Sequence, residues 1–522
     1  MPQAVPQQPD YAALKQENEQ QKRSIEALER RIEWFEKQLF GAKSERRHAD
    51  ENLHQMPLSG LVGEKTQLLP VEKESITYER GKAKKQRSDD CVTDTGLRFN
   101  DEVPVEVIKV EAPELTGPDA DQYEIIDTHV THRLAQRPAS YVVLRYEQPV
   151  IKRRGSNELK TAAAPLGVFD QSIADVSLLA GLLVDKFLYH LPLYRQHQRI
   201  QQAGITLSRT TLTNLVKRSI SLLQPIVEAQ LRHVLQSKVL AIDETPIKAS
   251  RAGKGKMKTG WFWPVYGEDD EVVFTYSSSR ARQHIDETLS QHFTGTLVSD
   301  GYAAYARYVE QTAGLSHAQC WAHTRRKFFE SESSEPDRVA IALACIGELY
   351  RHEAEIRKKG LLDEKKRQYR LEHSKVVVDA FFEWCEDQLC DDDLLPDNPF
   401  YKALQYALGR GTELRVFLED PAVPVDTNHL ESALRPIPMG RRNWLFCWTE
   451  LGAEHVGIIQ SLIVTCRLQN ISPYTYLVDV LQRISVHPAT DVTSLTPRAW
   501  KEKFAQNPVR SDLDRGGKNG LE

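Results

Sequence analysis

The sequence predicts an α/β fold for its central domain, and three observations support this prediction. Two short apolar segments, Val239–Ile242 and Thr296–Ser299, have the composition of buried strands and are bounded by acidic and turn residues. Two further strand-like segments, 261–266 and 271–276, follow the first of them. A helical pattern over residues 280–292 then leads to the second. The order strand, strand, strand, helix, strand, helix is that of a ribonuclease-H-like α/β fold.

Both apolar segments end in a carboxylate, since Asp243 follows the first and Asp300 follows the second. Ligands collect where strands end at the rim of an α/β sheet. A third carboxylate, Glu431, lies in the helical segment 428–435. Three convergent carboxylates suit hard divalent cations such as Mg²⁺ or Mn²⁺. We therefore interpret Asp243, Asp300 and Glu431 as metal ligands and candidate catalytic residues.

Length and composition narrow the class of protein. The 522 residues allow several domains, and the net charge of −5 requires any nucleic-acid surface to come from local basic clusters. Seven scattered cysteines without a CxxC pair indicate reduced thiols. The N-terminus lacks the pattern of a signal peptide, and no apolar run is long enough for a bilayer. We therefore expect a cytoplasmic protein with no membrane partner.

Residues 1–50 contain a helical segment with a heptad repeat that predicts a coiled coil. The a positions are Asn18, Ile25, Ile32 and Leu39, and the d positions are Leu14, Gln21, Leu28 and Phe35. β-branched a positions, Leu at d and one buried Asn favour a parallel dimer in fixed register, so we expect a homo-oligomer. The alternative is an amphipathic helix packed on its own chain.

A polar linker and a small β module follow. Residues 51–96 are irregular and contain a basic cluster, Lys82–Arg87, which suits either DNA phosphates or a solvated surface. Residues 97–160 alternate like strands and contain His129 and His132 but no cysteine, so we recognise no zinc site.

Residues 170–230 are predicted to be helical and to contain a helix-turn-helix. One helix covers 178–187, a second runs to Ile200, and Ser208 caps a third beyond a turn at 203–205. Helix, short turn, helix is the form of a DNA-reading motif, although many helical hairpins share it. The residues expected to face DNA are Arg209, Thr210, Thr211, Asn214, Lys217 and Arg218.

Residues 236–450 are predicted to form the α/β domain, with a helical insertion over about 331–420. A Lys/Gly-rich loop at 248–258 suits a polyanion backbone through Lys254 and Lys256, although a solvated hairpin tip has the same composition. Residues 316–319 are a candidate fifth strand. Beyond it, Cys320 and His323 have the spacing of one ligand pair of a zinc site, but no second pair lies nearby. We therefore expect these two residues to pack and form hydrogen bonds beside the active site. Arg325 and Arg326 begin a helix that can face DNA.

The chain is predicted to close with a helical segment over 451–490 and a tail over 491–522. Residues 453–468 and 473–484 have the pattern of amphipathic helices. From Asn507 onward the composition predicts disorder.

With these residues placed, the chain resembles transposases of the insertion-sequence-66 family, which belong to the DDE (Asp-Asp-Glu) class. The resemblance covers nearly the whole chain, and its motifs are specific only in combination. The matching segments are Leu39–Glu45, His190–Gln196, Leu207–Leu212, Ile242–Thr245, Ser299–Tyr302, Cys320–His323 with Arg325–Glu330, Glu431–Arg435 with Gly440–Phe446, and Asn470–Leu481.

The resemblance implies a bacterial, nucleoid-associated enzyme that acts on double-stranded DNA, both the terminal inverted repeats of its element and the target. It also implies small accessory proteins encoded beside it, and it adds Arg435, Arg441 and Arg442 to the expected DNA contacts. Many members carry a cysteine-rich zinc module between the coiled coil and the helix-turn-helix. Residues 97–150 lack those ligands, which puts a zinc requirement in doubt.

The implied mechanism is phosphoryl transfer on two Mg²⁺ ions held by the three carboxylates. Glu244 is a further candidate ligand, but continued strand geometry turns it to the opposite face from Asp243. Two rival functions remain: a catalytically silent DNA-binding relative, and a ribonuclease-H-like nuclease that only hydrolyses.

Overall fold

A computed structural model describes residues 97–515, with gaps at 100–102, 117–119, 138–139, 155–158, 164, 166, 171, 254–255, 290–292, 392–393, 442 and 444–448. The predicted coiled coil and linker, Lys254, Arg442 and residues 516–522 lie outside the described residues.

Strands and helices alternate along most of the described chain. The strands are β1 Arg98–Phe99, β2 Val105–Lys109, β3 Tyr123–Arg137, β4 Ser140–Arg153, β5 Leu159–Thr161, β6 Ile205–Thr206, β7 Val239–Ile242, β8 Thr245–Gly253, β9 Lys256–Tyr266, β10 Val272–Ser277, β11 Gly295–Ser299 and β12 Leu315–Gln319.

The α-helices include a group over residues 336–419, where the insertion is predicted. In chain order they are α1 Val176–Phe187, α2 Leu193–Gln202, α3 Arg209–Val234, α4 Gln283–Leu289, α5 Ala303–Gln311, α6 Trp321–Glu330, α7 Pro336–Lys359, α8 Asp363–Tyr369, α9 Lys375–Leu389, α10 Pro399–Leu408, α11 Gly411–Glu419, α12 Asn428–Leu434, α13 Pro436–Arg441, α14 Glu450–Leu468, α15 Pro473–Arg483, α16 Pro497–Lys503 and α17 Asp512–Arg515.

A six-stranded mixed sheet lies at the centre of the fold. Its order is β10-β9-β7-β11-β12, and β8 pairs with β9 outside that path. β7 and β10 are antiparallel to β9, whereas β7, β11 and β12 are mutually parallel where they pair. The predicted strands at 239–242, 271–276, 296–299 and 316–319 are confirmed to within a residue or two, and the strand predicted at 261–266 is confirmed but begins five residues earlier, at Lys256. The described part of the protein is therefore a mixed α/β structure with extensive helical regions.

Both faces of this sheet are covered, because neighbouring residues on one strand belong to different cores. Leu297 packs in the larger core, with α1, α3, α14 and α15, while Val298 packs in a smaller core with the helices of residues 336–419. Parallel strands buried on both faces read as continuous apolar runs, which is why Val239–Ile242 was recognisable in the sequence.

Helix α14 closes the edge of the sheet at β10. The main-chain N–H of Phe274 donates to Ser461 Oγ at 2.9 Å, and that of Val272 approaches Thr465 Oγ1 at 3.2 Å. The helix approaches so closely that a Cβ at Gly457 would lie 2.5 Å from the carbonyl oxygen of Phe274. Side chains of a helix thereby accept hydrogen bonds from N–H groups of the edge strand that no neighbouring strand pairs.

Two local predictions in this sheet need correction. The Lys/Gly-rich segment at 248–258 is mostly a β-hairpin of β8 and β9, because its main chain pairs between the two strands, as Lys248 does with Thr259. The helix predicted from residue 280 begins at Gln283, so Arg280 lies in the connection after β10.

The β module is a four-stranded sheet of order β2-β4-β3, with β5 also paired to β4. The long β3–β4 hairpin is antiparallel, and β2 runs parallel to β4. Its small core contains Val142, Leu144 and Tyr146, and it is completed by Leu513 from the far end of the described chain.

The helical region before the central sheet has the elements predicted for it, with one difference in length. Ser208 caps α3 by accepting a hydrogen bond from the N–H of Thr211, as expected. The short strand β6 in the turn before it pairs with β1. Helix α3 continues for 26 residues, through Pro225. Near its end Gln230 donates to the carbonyl of Val272, so the same helix reaches the central sheet.

The helices of residues 336–419 pack around Trp321 and Phe381, and a buried ion pair holds them together. Arg370, which is 0% exposed, donates from Nε and Nη2 to the two oxygens of Glu353 at 2.7 and 2.9 Å. Its Nη1 donates to the carbonyls of Phe417 at 2.6 Å and Val423 at 3.0 Å. One guanidinium thus ties α7 to the segment that leads toward Glu431.

Disorder from Asn507 was predicted, and for residues 507–515 that prediction is wrong. The fully buried carboxylate of Asp479 accepts from Trp500 Nε1 and from the N–H of Val509. Ser511 then donates to Asp175 at the start of α1, and Tyr146 donates to Asp512. These partners lie far away in the sequence. They hold in place a polar segment that has no local tendency to fold.

Two further findings concern the described residues alone. None of their helices has both the length and the apolar character needed to cross a bilayer. The cysteines among them are free thiols, namely Cys320, Cys345, Cys385, Cys390 and Cys466.

Candidate active site

Asp243 and Asp300 follow neighbouring parallel strands. The register pairs Val298 on β11 with Ala241 on β7. Continued for two residues beyond this pair, it brings Asp300 level with Asp243 at the carboxyl edge of the sheet. Each carboxylate is held by the turn it begins, because Asp243 Oδ1 accepts from the N–H of Glu244 at 2.7 Å and Asp300 Oδ1 from the N–H of Tyr302 at 2.9 Å.

Glu431 reaches the same edge from helix α12, which is anchored beside the end of β12. The N–H of Trp321 donates to the carbonyl of Val425 at 3.1 Å, and the Cys320 thiol sulfur accepts from both N–H and Oγ1 of Thr427 at 3.3 Å. Cys320 therefore has the packing and hydrogen-bonding role expected of it. It fixes the residues that precede the helix carrying Glu431.

The three carboxylates line one open cavity of about 660 Å³. Acidic and basic side chains share its wall, together with Gly301 and two tyrosines. The other lining residues are Glu244, Arg280, Gly301, Tyr302, His323, Arg326, Lys327, Glu330, Tyr406, Leu434, Arg435 and Pro438.

Burial and crowded negative charge perturb Asp243. Burial, the largest cause, and the nearby charges of Glu244, Asp300 and Glu431 together raise the pKa of this carboxyl to about 7, against the opposing effect of the hydrogen bond from the N–H of Glu244. Burial also lowers the pKa of His323, which keeps the imidazole neutral near pH 7. The arrangement favours a cation among these carboxylates, because it would relieve their mutual repulsion.

A second observation also indicates that these carboxylates fit a hard divalent cation. Glu431 Oε1 is buried without a hydrogen-bond partner; the imidazole Nε2 of His323 lies 3.7 Å from it, and the guanidinium of Arg326 lies 3.5 Å from the other oxygen. Ligand atoms of Asp243, Glu244 and Asp300 lie within 4.8 Å of one another. Glu431 is outside that tight group but lines the same cavity.

The condition under which Glu244 would face away from Asp243, continued strand extension, is not met. Strand β7 ends at Ile242, and the turn after it breaks the alternation that would have carried Glu244 to the opposite face. Its carboxylate instead lies in the same cluster as Asp243 and Asp300. It is paired with Arg280 and accepts from the hydroxyl of Tyr305.

The arginines predicted to contact DNA divide into two groups at this edge of the protein. Arg326 and Arg435 line the cavity with the carboxylates. Arg325 is exposed on α6 and is not among the lining residues. Arg441 donates from Nη1 to the carbonyl of Pro246 at 2.6 Å, so it supports the start of β8.

The residues predicted to read DNA on α3 lie on its exposed side. Arg209, Thr210 and Asn214 are exposed, and Lys217 is half-buried. The guanidinium of Arg209 lies 4.9 Å from the ring of Tyr194 on α2. Lys256 is exposed at the start of β9, in a different part of the chain. The structure therefore does not bring the α3 residues into the cavity.

Sequence reasoning missed Arg280 and Tyr406 as cavity residues. Arg280 follows the end of β10, and that position was the available signal, because Asp243 and Asp300 also follow strands. Tyr406 comes from α10, far along the sequence from either aspartate, and no local pattern identifies it.

A second cluster of potential ligands lies where α3 ends. His233 Nδ1 contacts Glu271 at 2.5 Å, and Arg498 Nη2 lies 2.8 Å from His233 Nε2. Both imidazole nitrogens already have partners, and Arg498 supplies the positive charge that balances Glu271. We interpret this cluster as an ion-pair network that joins α16 to the end of α3 and to the residue before β10.

Three family models match the chain. The model described as "Transposase IS66 family" matches residues 171–455, which include the three carboxylates and the cavity. A model described as "IS66 C-terminal element" matches 461–498, and one described as "Transposase C of IS166 homeodomain" matches 27–107.

Relatives of similar length occur in Sinorhizobium fredii (strain NBRC 101917 / NGR234). The chain is 29% identical over 510 residues to the uncharacterized protein y4hP, covering 92% of this chain and 90% of that protein. It is 29% identical to the uncharacterized protein y4qI over 71% of each chain. A third, the uncharacterized protein y4jD, is 30% identical over 67% of this chain and 70% of its own.

Proposed function

Because the chain belongs to the IS66 family of transposases, we propose that it binds the terminal inverted repeats of its own insertion sequence and catalyses Mg²⁺-dependent strand cleavage and strand transfer. Family membership by itself implies a DNA-acting enzyme. The observation that carries the finer proposal is the convergence of Asp243, Asp300 and Glu431 on one cavity.

The catalytic domain in this proposal is ribonuclease-H-like and spans 236–450. Its support is the sheet order, with antiparallel strands at one edge and parallel strands at the other, and the helices at 336–419 that separate Asp300 from Glu431. Residues 1–50 would form the coiled coil, 97–160 the β module and 170–230 the helix-turn-helix. The Ser208 cap and the exposed α3 face support the last of these.

Asp243, Asp300 and Glu431 would hold the Mg²⁺ or Mn²⁺ ions, of which we expect two. When bound, such ions polarise a phosphodiester and stabilise the attacking and leaving oxygens of an in-line displacement. The chain's own residues hold the carboxylates in place through the Asp243 and Asp300 turns and the Cys320–Thr427 contact. No covalent intermediate with the protein is needed.

Basic residues around the cavity would neutralise the DNA backbone. Arg326, Lys327 and Arg435 are on its wall. In this proposal Arg325, Arg441, Arg442, Lys254 and Lys256 extend the phosphate contacts, while Arg209, Thr210, Asn214 and Lys217 contact the element ends.

The partners in this proposal are double-stranded DNA and a second copy of the chain, joined through the coiled coil. The match of residues 27–107 to a homeodomain model supports DNA contact by the N-terminal part as well. Small accessory proteins of the element are a further expected partner.

The test of this function is incubation of the purified full chain with labelled element ends, target DNA and Mg²⁺. Nicked ends and joined products together are the expected result. Nicking without joining would favour a nuclease that only hydrolyses. Binding to the ends without either product would favour the silent DNA-binding relative.

Base reading and phosphate neutralisation should respond differently to substitution. Asn214→Ala on α3 should weaken binding to element ends by about 1–3 kcal/mol and leave binding to random DNA nearly unchanged. Lys256→Ala should weaken binding to both DNAs and lower the slope of log K against log salt by about 1.

Fluorescence anisotropy at several salt concentrations measures both effects. The matched control is Lys365→Ala, which removes an exposed lysine on α8. Equal losses on specific and random DNA for the Asn214 variant would contradict a role in base reading.

A further inference from the structure

We propose that Arg280 is a phosphate-binding residue of this active site and that Glu244 positions it instead of holding metal. This inference rests on the proposed phosphoryl-transfer function and adds a residue to it. It starts from the position of Arg280, which lies in the cavity wall with the carboxylates and has a side chain that is 41% exposed.

Glu244 holds one edge of the guanidinium. Arg280 Nε donates to Glu244 Oε1 at 2.8 Å, and Nη2 donates to the same oxygen. The other carboxylate oxygen accepts from the hydroxyl of Tyr305, a residue that is itself fully buried. Because the Glu244 side chain is only 2% exposed, both of its oxygens are committed inside the protein.

Aromatic rings hold the face of the same guanidinium. Its central carbon lies 4.0 Å from the ring centroid of Tyr302 and 5.1 Å from that of Trp261. The Tyr302 hydroxyl also donates to the carbonyl of Arg280 at 2.9 Å, which fixes the main chain at this point. An arginine held by an edge and a face has lost most of its rotamer freedom before any ligand arrives.

The remaining donors of Arg280 define what it can bind. Among the hydrogen bonds of the described residues, its side chain uses Nε and Nη2, so the Nη1 N–H groups stay available. A guanidinium presents planar paired donors that match the non-bridging oxygens of a phosphodiester. In a cavity that also holds Asp243 and Asp300, such a ligand is brought directly beside the candidate metal ligands.

Metal binding by Glu244 is the competing interpretation, since its ligand atom lies within 4.8 Å of those of Asp243 and Asp300. To bind an ion, Glu244 would have to release Arg280 or Tyr305. Either change would leave the buried carboxylate of Glu244 without one of its present partners, and an ion would have to replace that partner fully. The contacts therefore favour a Glu244 that stays with Arg280 and leaves the ion to the other carboxylates.

The experiment uses the full chain with Arg280→Gln, Arg280→Lys and Glu244→Gln, and with Arg307→Gln as the matched control. Arg307 is an exposed arginine on α5 outside the cavity lining. Three quantities are measured: Mn²⁺ affinity without DNA, single-turnover cleavage of an element end, and affinity for that DNA in Ca²⁺. The DNA is tested with a normal scissile phosphate and with an uncharged methylphosphonate there.

Arg280→Gln should slow cleavage by about 10²-fold or more, and Lys should restore part of the rate, because it returns the charge but not the paired donors. Glu244→Gln should also slow cleavage, while Mn²⁺ affinity stays within about twofold of the parent in all variants. In Ca²⁺ the Arg280→Gln defect in DNA affinity should vanish on the methylphosphonate duplex, a result that a merely structural role does not produce.

A Glu244→Gln variant that loses Mn²⁺ affinity at least tenfold would overturn the assignment of Glu244. An Arg280→Gln variant that cleaves at the parent's rate, or an affinity defect that persists on the methylphosphonate duplex, would overturn that of Arg280. If the parent itself cleaves no DNA, the proposed function fails; the Ca²⁺ affinities still decide whether Arg280 binds the phosphate.

Discussion

Replacing Asp243 by Asn should lower the rate of DNA cleavage by at least about a thousandfold, which is about 4 kcal/mol of transition-state stabilisation. The amide keeps the size of the side chain but is a poor ligand for a hard dication. Asp300→Asn and Glu431→Gln should have effects of similar size, because all three residues line one cavity. Single-turnover cleavage of an element end in Mg²⁺ or Mn²⁺ measures the loss.

The same Asp243 substitution should stabilise the protein when no metal is present. The pKa of Asp243 is raised from 3.8 to about 7 in the folded state, so the folded protein retains a proton that the unfolded chain releases. Its ionisation therefore lowers stability progressively as the pH rises from about 4 to about 7, by up to roughly 4 kcal/mol. Asn cannot ionise, so the Asn variant should avoid this loss of stability. Its gain in stability over the parent should be complete above pH 7 and absent below about pH 4.

Opposite effects on activity and stability separate loss of a ligand from loss of folding. Thermal unfolding in EDTA at pH 5 and pH 8 measures the change in stability. Added Mn²⁺ should stabilise the parent more than the Asn variant at pH 8. A variant that cleaves at the parent's rate would remove Asp243 from the site. An Asp243→Asn variant that is less stable than its parent at pH 8 in EDTA would contradict the interpretation that negative charge is crowded around Asp243.

Arg370→Met should destabilise the protein by about 3–5 kcal/mol, because it leaves the buried carboxylate of Glu353 without its partner. It also removes the donor that serves the carbonyls of Phe417 and Val423. Urea unfolding measures the loss. Arg367→Met is the matched control, since Arg367 forms exposed ion pairs with Glu364 and Glu419 on the same stretch of chain.

The double variant Arg370→Met/Glu353→Met tests the reason for that loss. Removing both charges should be less destabilising than removing Arg370 alone, because no unpaired buried charge remains. If the double variant is as unstable as the single one, the hydrogen bonds to the two carbonyls account for the effect instead. A stable Arg370→Met variant would show that the ion pair contributes little.

The strands of the central sheet were predictable because their signal is local. Val239–Ile242 and Thr296–Ser299 are buried on both faces, so composition alone marks them, and the acidic residue after each marks the edge of the sheet. The position of Glu244 was not predictable in this way. The direction of the Glu244 side chain depends on the residue at which β7 ends, because continued extension would have turned this side chain to the opposite face.

Longer-range contacts account for the other differences. The Lys/Gly-rich segment has the composition of a loop, yet pairing with β9 makes most of it a strand. Residues 507–515 are ordered by Asp479 and Asp175, which lie far away in sequence. The role proposed for Arg280 requires Glu244, Tyr302 and Trp261 to meet, and no spacing in the sequence indicates that they do.

The continuity of α3 has a consequence for the length of DNA that the protein can handle. Its 26 residues span about 39 Å, and the exposed face near Asn214 is separated by about 24 Å of this helix from the contact of Gln230 with the central sheet. If Asn214 reads a base pair, the number of base pairs between that position and the cut is set by one helix packed against the sheet. Five base pairs inserted between them would turn the scissile phosphate to the far side of the duplex, because B-DNA repeats about every 10.5 base pairs. The element is therefore expected to keep the spacing at its ends more strictly than the sequence within it.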